Sequence, residues 1–137
     1  MFKTVLFPID KSPESRQAAE TVAQLVKTFN SRLVILSIVE RPQAAEASGG
    51  VMSSPEAIAE LLQSAKSLFS QEGIRAETLE EESAKPPAFA ICDVAEEINA
   101  DLIVMGCRGL GLTEEGASDS VTNRVINLSP CPVLIVP

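Results

Sequence analysis

Five strand-like apolar runs alternate with four helical patterns. This order predicts an α/β fold: a single doubly wound, mostly parallel five-stranded sheet with helices on both faces. Two further observations point the same way. The runs 33–39 and 102–105 are almost continuously apolar, as parallel strands covered on both faces are. The stretch Met105-Gly106-Cys107-Arg108-Gly109-Leu110-Gly111 then leads from a strand towards a helix, the place where α/β folds cradle phosphate on exposed main-chain N–H groups.

Val5-Leu6-Phe7-Pro8-Ile9 reads as a buried strand ending at Asp10. Ser12-Pro13-Glu14 opens a helix with a hydroxyl cap, an early proline and an acid. Ala18, Ala19, Val22, Leu25, Val26 and Phe29 follow at helical spacing, and Asn30-Ser31 closes the helix. The second strand covers 33–39, and 40–53 is a long loop rich in small residues. Ser53 to Glu56 has capping-box spacing for a helix whose stripe is Ile58, Leu61, Leu62, Ala65, Leu68 and Phe69, ended by Gly73. Ile74 to Leu79 is a polar strand suited to a sheet edge, and Glu80-Glu81-Glu82 reads as solvated surface. Pro86-Pro87 opens a third helix through Ile98, with Ile91, Val94, Ala95 and Ile98 inward. After the fourth strand and the glycine loop, Ser120 to Leu128 is a short helix with Val121, Val125 and Leu128 on one side. Val133 to Val136 is the last strand. The 137 residues therefore form one domain, 1–137, with no repeat or linker.

Composition excludes several function classes. A net charge of −8 with scattered Lys and Arg gives no basic patch for nucleic acid, and no apolar run is long enough to span a bilayer. With no secretory signal, a cytoplasmic location is expected. The chain has no His and its three cysteines lack C-x-x-C spacing, which removes a Cys/His zinc site and a His-based triad. Cys92 reads as a small core residue. Cys107, inside the glycine loop, is either a packed small residue or a redox-sensitive one.

In a sheet of this kind ligands bind beyond the carboxyl ends of the strands, where the winding reverses. There the first, second and fourth strands deliver Asp10, Ile38 and Gly106: an acid, an apolar wall and a glycine turn, a set suited to a nucleotide. Read singly, Asp10 could equally be a turn or cap residue. Three carboxylates, Glu114, Glu115 and Asp119, lie in the segment after the glycines. Arg108 could meet a phosphate or one of these acids; for Arg124 internal neutralisation is the preferred reading.

Over its whole length the chain resembles the universal stress protein family, a Rossmann-like group. The matching pieces are Phe7-Pro8-Ile9-Asp10 with Ser12, the strand Ala100 to Gly106, Arg108-Gly109, Ser120-Val121, and Pro130-Cys131-Pro132 with the strand that follows. The resemblance implies a stress-response protein that forms a homodimer through the C-terminal strand 133–136. It also implies an adenine nucleotide, ATP or a related one, with or without Mg²⁺, on a pattern G-x-x-G, nine residues, G-[S/T]. Gly106 and Gly109 match the first glycines, and Ser120 matches the hydroxyl. Pro8, Asp10 and the main chain near Ile38 would flank the adenosine, while Arg108, Ser120, Val121 and Thr122 would lie towards phosphate.

Asp119 stands where the third glycine belongs. Two unit charges about 4 Å apart repel by roughly 4 kcal/mol at an effective dielectric of 20, half of the ~8 kcal/mol behind micromolar affinity. A bridging Mg²⁺ would reverse the sign, and Asp119 could instead cap the last helix. Two functions follow: a nucleotide-responsive stress protein of weakened or altered affinity, or a non-nucleotide dimeric interaction module. Efficient catalysis is not expected. Without a His, a P-loop lysine or a base for water, slow incidental ATP hydrolysis is the most the residues allow.

Overall fold

The structure is a computed structural model and describes residues 1–10, 13–40, 55–106 and 121–137. Along the chain run β1 (Thr4–Pro8), α1 (Pro13–Phe29), β2 (Arg32–Glu40), α2 (Pro55–Gln71), β3 (Ala76–Ser83), α3 (Pro87–Glu97), β4 (Leu102–Gly106), α4 (Val121–Leu128) and β5 (Val133–Val136). All strand pairs are parallel, in the order β3-β2-β1-β4-β5. The expected doubly wound sheet is thus observed. The chain winds outward from β1 through β2 to β3, then returns across the sheet to β4 and β5. Winding reverses at β1.

The period-2 alternation of the central strands builds a core on each face. Val5 and Phe7 of β1, Leu33 and Ile35 of β2, and Leu102 and Val104 of β4 pack with Ala18, Val22 and Val26 of α1 and Ile58, Leu62 and Phe69 of α2. Phe7 and Phe69 meet edge to face, their centroids 6.2 Å apart. On the other face Leu6, Val34, Leu36, Ile103 and Met105 pack with Ala88, Ile91, Val94 and Ala95 of α3 and Val125 of α4. Cys92 is buried in this second cluster, as expected of a small core residue.

Three helices end by one device. Asn30, Gly73 and Asn99 have φ of 54°, 81° and 57°, the left-handed conformation that glycine and asparagine tolerate. The residue after each donates its N–H back into the last turn: Ser31 to the Val26 carbonyl (3.1 Å), Ile74 to Phe69 (2.9 Å) and Ala100 to Ala95 (2.9 Å). These bonds satisfy carbonyls that a helix end would leave open, and they turn the chain straight into the next strand.

Several expectations need correction. β3 runs to Ser83, past the expected end at Leu79; Glu80, Glu81 and Glu82 lie at the surface as expected, but within the edge strand, in register with Ser37, Ile38 and Val39. An edge strand accepts them because its outer rim is solvated, and their charge discourages further pairing. Leu68 is 43% exposed and lies outside the buried stripe of α2. In α4 only Val125 is buried; Val121 and Leu128 are 37% and 43% exposed. A helix of two turns lying against β5 and α3 buries one position, not the expected three. The helix-start residues Ser12 and Ser53, and the loop 41–53, lie outside the described residues.

Asp101, just before β4, ties that strand to the start of β1. Its carboxylate accepts the N–H groups of Lys3 (3.0 Å) and Thr4 (2.9 Å), while its own N–H donates to the Thr4 carbonyl (2.9 Å). Desolvation pushes the Asp101 carboxyl up, but the hydrogen bonds from Thr4 and Lys3 with its own N–H outweigh that, and it titrates below its ordinary value. A lowered folded-state pKa means that the clamp stabilises fully above the unfolded value of about 3.9 and is lost as pH falls through the folded one. Asp101→Ala is expected to cost about 1–2 kcal/mol at neutral pH by chemical denaturation, with the gap to the wild type narrowing below about pH 4. An equal gap at both pH values would contradict the clamp.

Candidate functional site

The reversal at β1 places β1 and β4 side by side with their following segments leading to opposite faces, which opens a crevice above their carboxyl ends. Proline chemistry shortens the ladder beneath it. On β1 the Ile9 N–H donates to the Leu36 carbonyl on β2 (2.8 Å), so odd positions face β2 and even positions face β4. Accordingly the Thr4 carbonyl is met from the β4 side, by the Asp101 N–H. Pro8 is an even position and has no N–H to give to β4. The ladder between β1 and β4 is limited to Val5↔Leu102 and Leu6↔Ile103, whereas that between β1 and β2 continues through Pro8↔Leu36. The sheet is open at its carboxyl edge where the winding reverses.

Asp10 stands at that edge, exposed, directly after β1. Its carboxylate accepts the Ser15 hydroxyl at 3.0 Å, and its N–H donates to the same oxygen at 3.1 Å. At this edge Asp10 is a partner of the first turn of α1, which fits the turn or cap reading. Ile38 is partly buried on β2, in register with Glu81, and its side chain packs on the α3 face. Gly106 ends β4 beside Val136. The Thr122 hydroxyl, in the first turn of α4, lies 3.4 Å from the Gly106 carbonyl as a long hydrogen bond. It thereby ties together the two ends of the 107–120 segment. Val121 opens α4 with an exposed side chain.

Of the expected residues, the structure brings Pro8, Asp10, Ile38, Gly106, Val121 and Thr122 to the carboxyl edge through β1, β2, β4 and α4. Arg108, Gly109 and Ser120, together with Cys107 and Asp119, lie outside the described residues. Arg124 is exposed, and no described carboxylate pairs with it. The sequence reading missed Ser37, which sits one residue before Ile38 and is 2% exposed. Its signal was a single hydroxyl within the apolar run 33–39. Burial pushes the Cys92 and Cys131 thiols up, so both are poor thiolates. Among the described residues no group of three or more His, Cys, Asp or Glu side chains could hold a metal ion, and no helix is long and apolar enough to cross a membrane.

A five-stranded parallel sheet with an acid after β1, a glycine ending β4 and a switch point between them defines a doubly wound α/β domain, a class in which ligands bind at such switch points. The family model described as "Universal stress protein family" matches residues 1–137. A universal stress protein of Synechocystis is 59% identical over 138 residues, covering 100% of this chain and 87% of that protein. A universal stress protein solved in complex with cAMP is 26% identical, with a TM-score of 0.80 over 99% of this chain and 97% of that one. The Archaeoglobus fulgidus universal stress protein solved in complex with dAMP shares the fold, with a TM-score of 0.74 at 21% identity over 99% and 98% of the two chains. The chain belongs to the universal stress protein family.

The account of Pro8 has a direct check. Pro8→Ala restores an N–H on the β4 side of β1. Its amide is expected to exchange slowly in hydrogen-exchange NMR, as a new rung of the ladder. Exchange at the rate of an exposed loop would show that something other than the missing donor separates the strands.

Proposed function

We propose that this universal stress protein responds to an adenine nucleotide held at the carboxyl edge between β1 and β4, with an affinity weakened or altered by Asp119. The observation that carries this reading is the convergence of Asp10, Ile38 and Gly106 on an edge where the β1–β4 ladder stops. The cAMP complex of a relative 26% identical to this chain supports an adenine nucleotide as the class of ligand. Main-chain N–H groups at the start of α4 favour the phosphate end, and the apolar side chains of β2 favour the base. Arg108, Gly109 and Ser120 belong to the phosphate end in this reading. Output comes through altered shape or partner choice in the stress response, with no catalysis beyond slow incidental ATP hydrolysis.

Calorimetric titration of AMP, ADP and ATP, with and without Mg²⁺, tests the reading. Saturable binding is expected, with AMP less affected than ATP by the acidic segment, and Asp119→Gly is expected to strengthen ATP binding about tenfold or more. Asp10→Ala is expected to weaken all three. If the wild type binds none of them and Asp119→Gly gains binding, the chain is instead a non-nucleotide interaction module.

The two sheet edges differ in a way that supports a homodimer. Glu77, Glu80 and Glu82 line β3, whereas β5 is Val133-Leu134-Ile135-Val136 beside the exposed Ile126 and Leu128 of α4. A charged rim resists strand addition and an apolar one invites it. The expected assembly pairs two copies through 133–136 across a two-fold axis. Light scattering at micromolar concentration is expected to give twice the chain mass, and Leu134→Lys to shift it towards the monomer. A monomeric wild type would contradict this.

A further inference from the structure

Ser37 is the one buried polar side chain among the described residues. Its main chain belongs to β2 and pairs with Glu80 of β3, but its hydroxyl has no hydrogen-bond partner among the described residues. A hydroxyl enclosed without a partner is costly, and such groups in native proteins call for an explanation. Alanine at this position would avoid the cost.

Its surroundings narrow the explanation. Strand parity puts Ser37 on the face of Leu33 and Ile35, towards α1 and α2. The Ile9 N–H bond to the Leu36 carbonyl sets Ile9 beside Ser37, so Asp10 follows immediately on that side, and Glu80 is the neighbour on the other. Two carboxylate-bearing residues next to it disfavour an anion. Apolar Ile9, Ile35 and Val39 on the same face favour a flat, neutral ring. β2 is two strand spacings, about 10 Å, from β4, so a phosphate near Gly106 and α4 is well removed from Ser37. At 2% exposure the hydroxyl is reached by a group that displaces its cover, not by one resting on the surface.

We propose that the Ser37 hydroxyl hydrogen-bonds the purine base of the nucleotide and is a specificity-determining contact of the site. This rests on the adenine-nucleotide reading above and adds to it the residue that recognises the base. Serine suits the role because one oxygen both donates to a ring nitrogen and accepts from an amine.

AMP titration of the wild type, Ser37→Ala, Ser37→Thr, Asp119→Gly and the Ser37→Ala/Asp119→Gly pair tests it, with a melting curve of each variant in the absence of nucleotide. Ser37→Ala is expected to weaken AMP about tenfold while leaving the melting temperature unchanged or raised. Ser37→Thr, which keeps the hydroxyl, is expected to stay within about threefold of the wild type. The double variant is expected to show the product of the two single effects, since base and phosphate contacts lie far apart. Wild-type affinity in Ser37→Ala, a clear loss of its melting temperature, a failure of Ser37→Thr to restore binding, or strong coupling to Asp119→Gly would each overturn the proposal. A wild type that binds no AMP would overturn the nucleotide reading itself, a result distinct from AMP binding that ignores Ser37.

Discussion

Everything at the carboxyl edge depends on a missing donor in the central strand. β1 is buried on both faces and pairs with strands on both sides, the position where a proline is least expected. Pro8 is tolerated because its nitrogen faces β4 where that ladder stops. Clamped at its base by Asp101, the β1–β4 pair holds together over Val5 and Leu6, where its ladder ends. A fully zipped pair would close the reversal point. The interrupted one leaves room above two rigid strands, while the β1–β2 ladder keeps Asp10 and Ile38 in fixed register.

The same clamp explains why the edge can be open without loosening the fold. The cores on the two faces, under α1 and α2 and under α3 and α4, share the three central strands. Side-chain packing holds β1 against β4 beyond the end of their ladder. Thr122 then bridges from α4 to the Gly106 carbonyl, so the helix that would face a phosphate is anchored to the strand that would underlie it.

Much of this architecture was legible in the chain. Pro13, Asn30, Gly73 and Pro87 punctuate the helices where the sequence placed them, because each acts through local backbone geometry. Errors arose where tertiary placement decided the matter. Glu80 to Glu82 read as surface beyond a strand ending at Leu79, but edge position lets the polar strand run on through them. Val121, Leu68 and Leu128 follow the helical period, yet each stays exposed.

The site was legible in a different way. Asp10, Ile38 and Gly106 reach one edge of the sheet by topology, which strand order determines. What the sequence could not express is the parity of hydrogen bonding along β1, so Pro8 read as an apolar contact and not as the break in the ladder. Ser37 was hidden for a similar reason. One hydroxyl in an apolar run carries no meaning until register sets it between Ile9 and Glu80 with its oxygen enclosed.

Amide chemical-shift mapping reads the proposed nucleotide site directly. Titrating AMP into the ¹⁵N-labelled protein is expected to move the signals of Asp10, Ile38 and Gly106 together, with one saturation curve, while the middle of α2 stays fixed. Shifts confined to α2 or to the outer rim of β3, with those three amides unmoved, would contradict it.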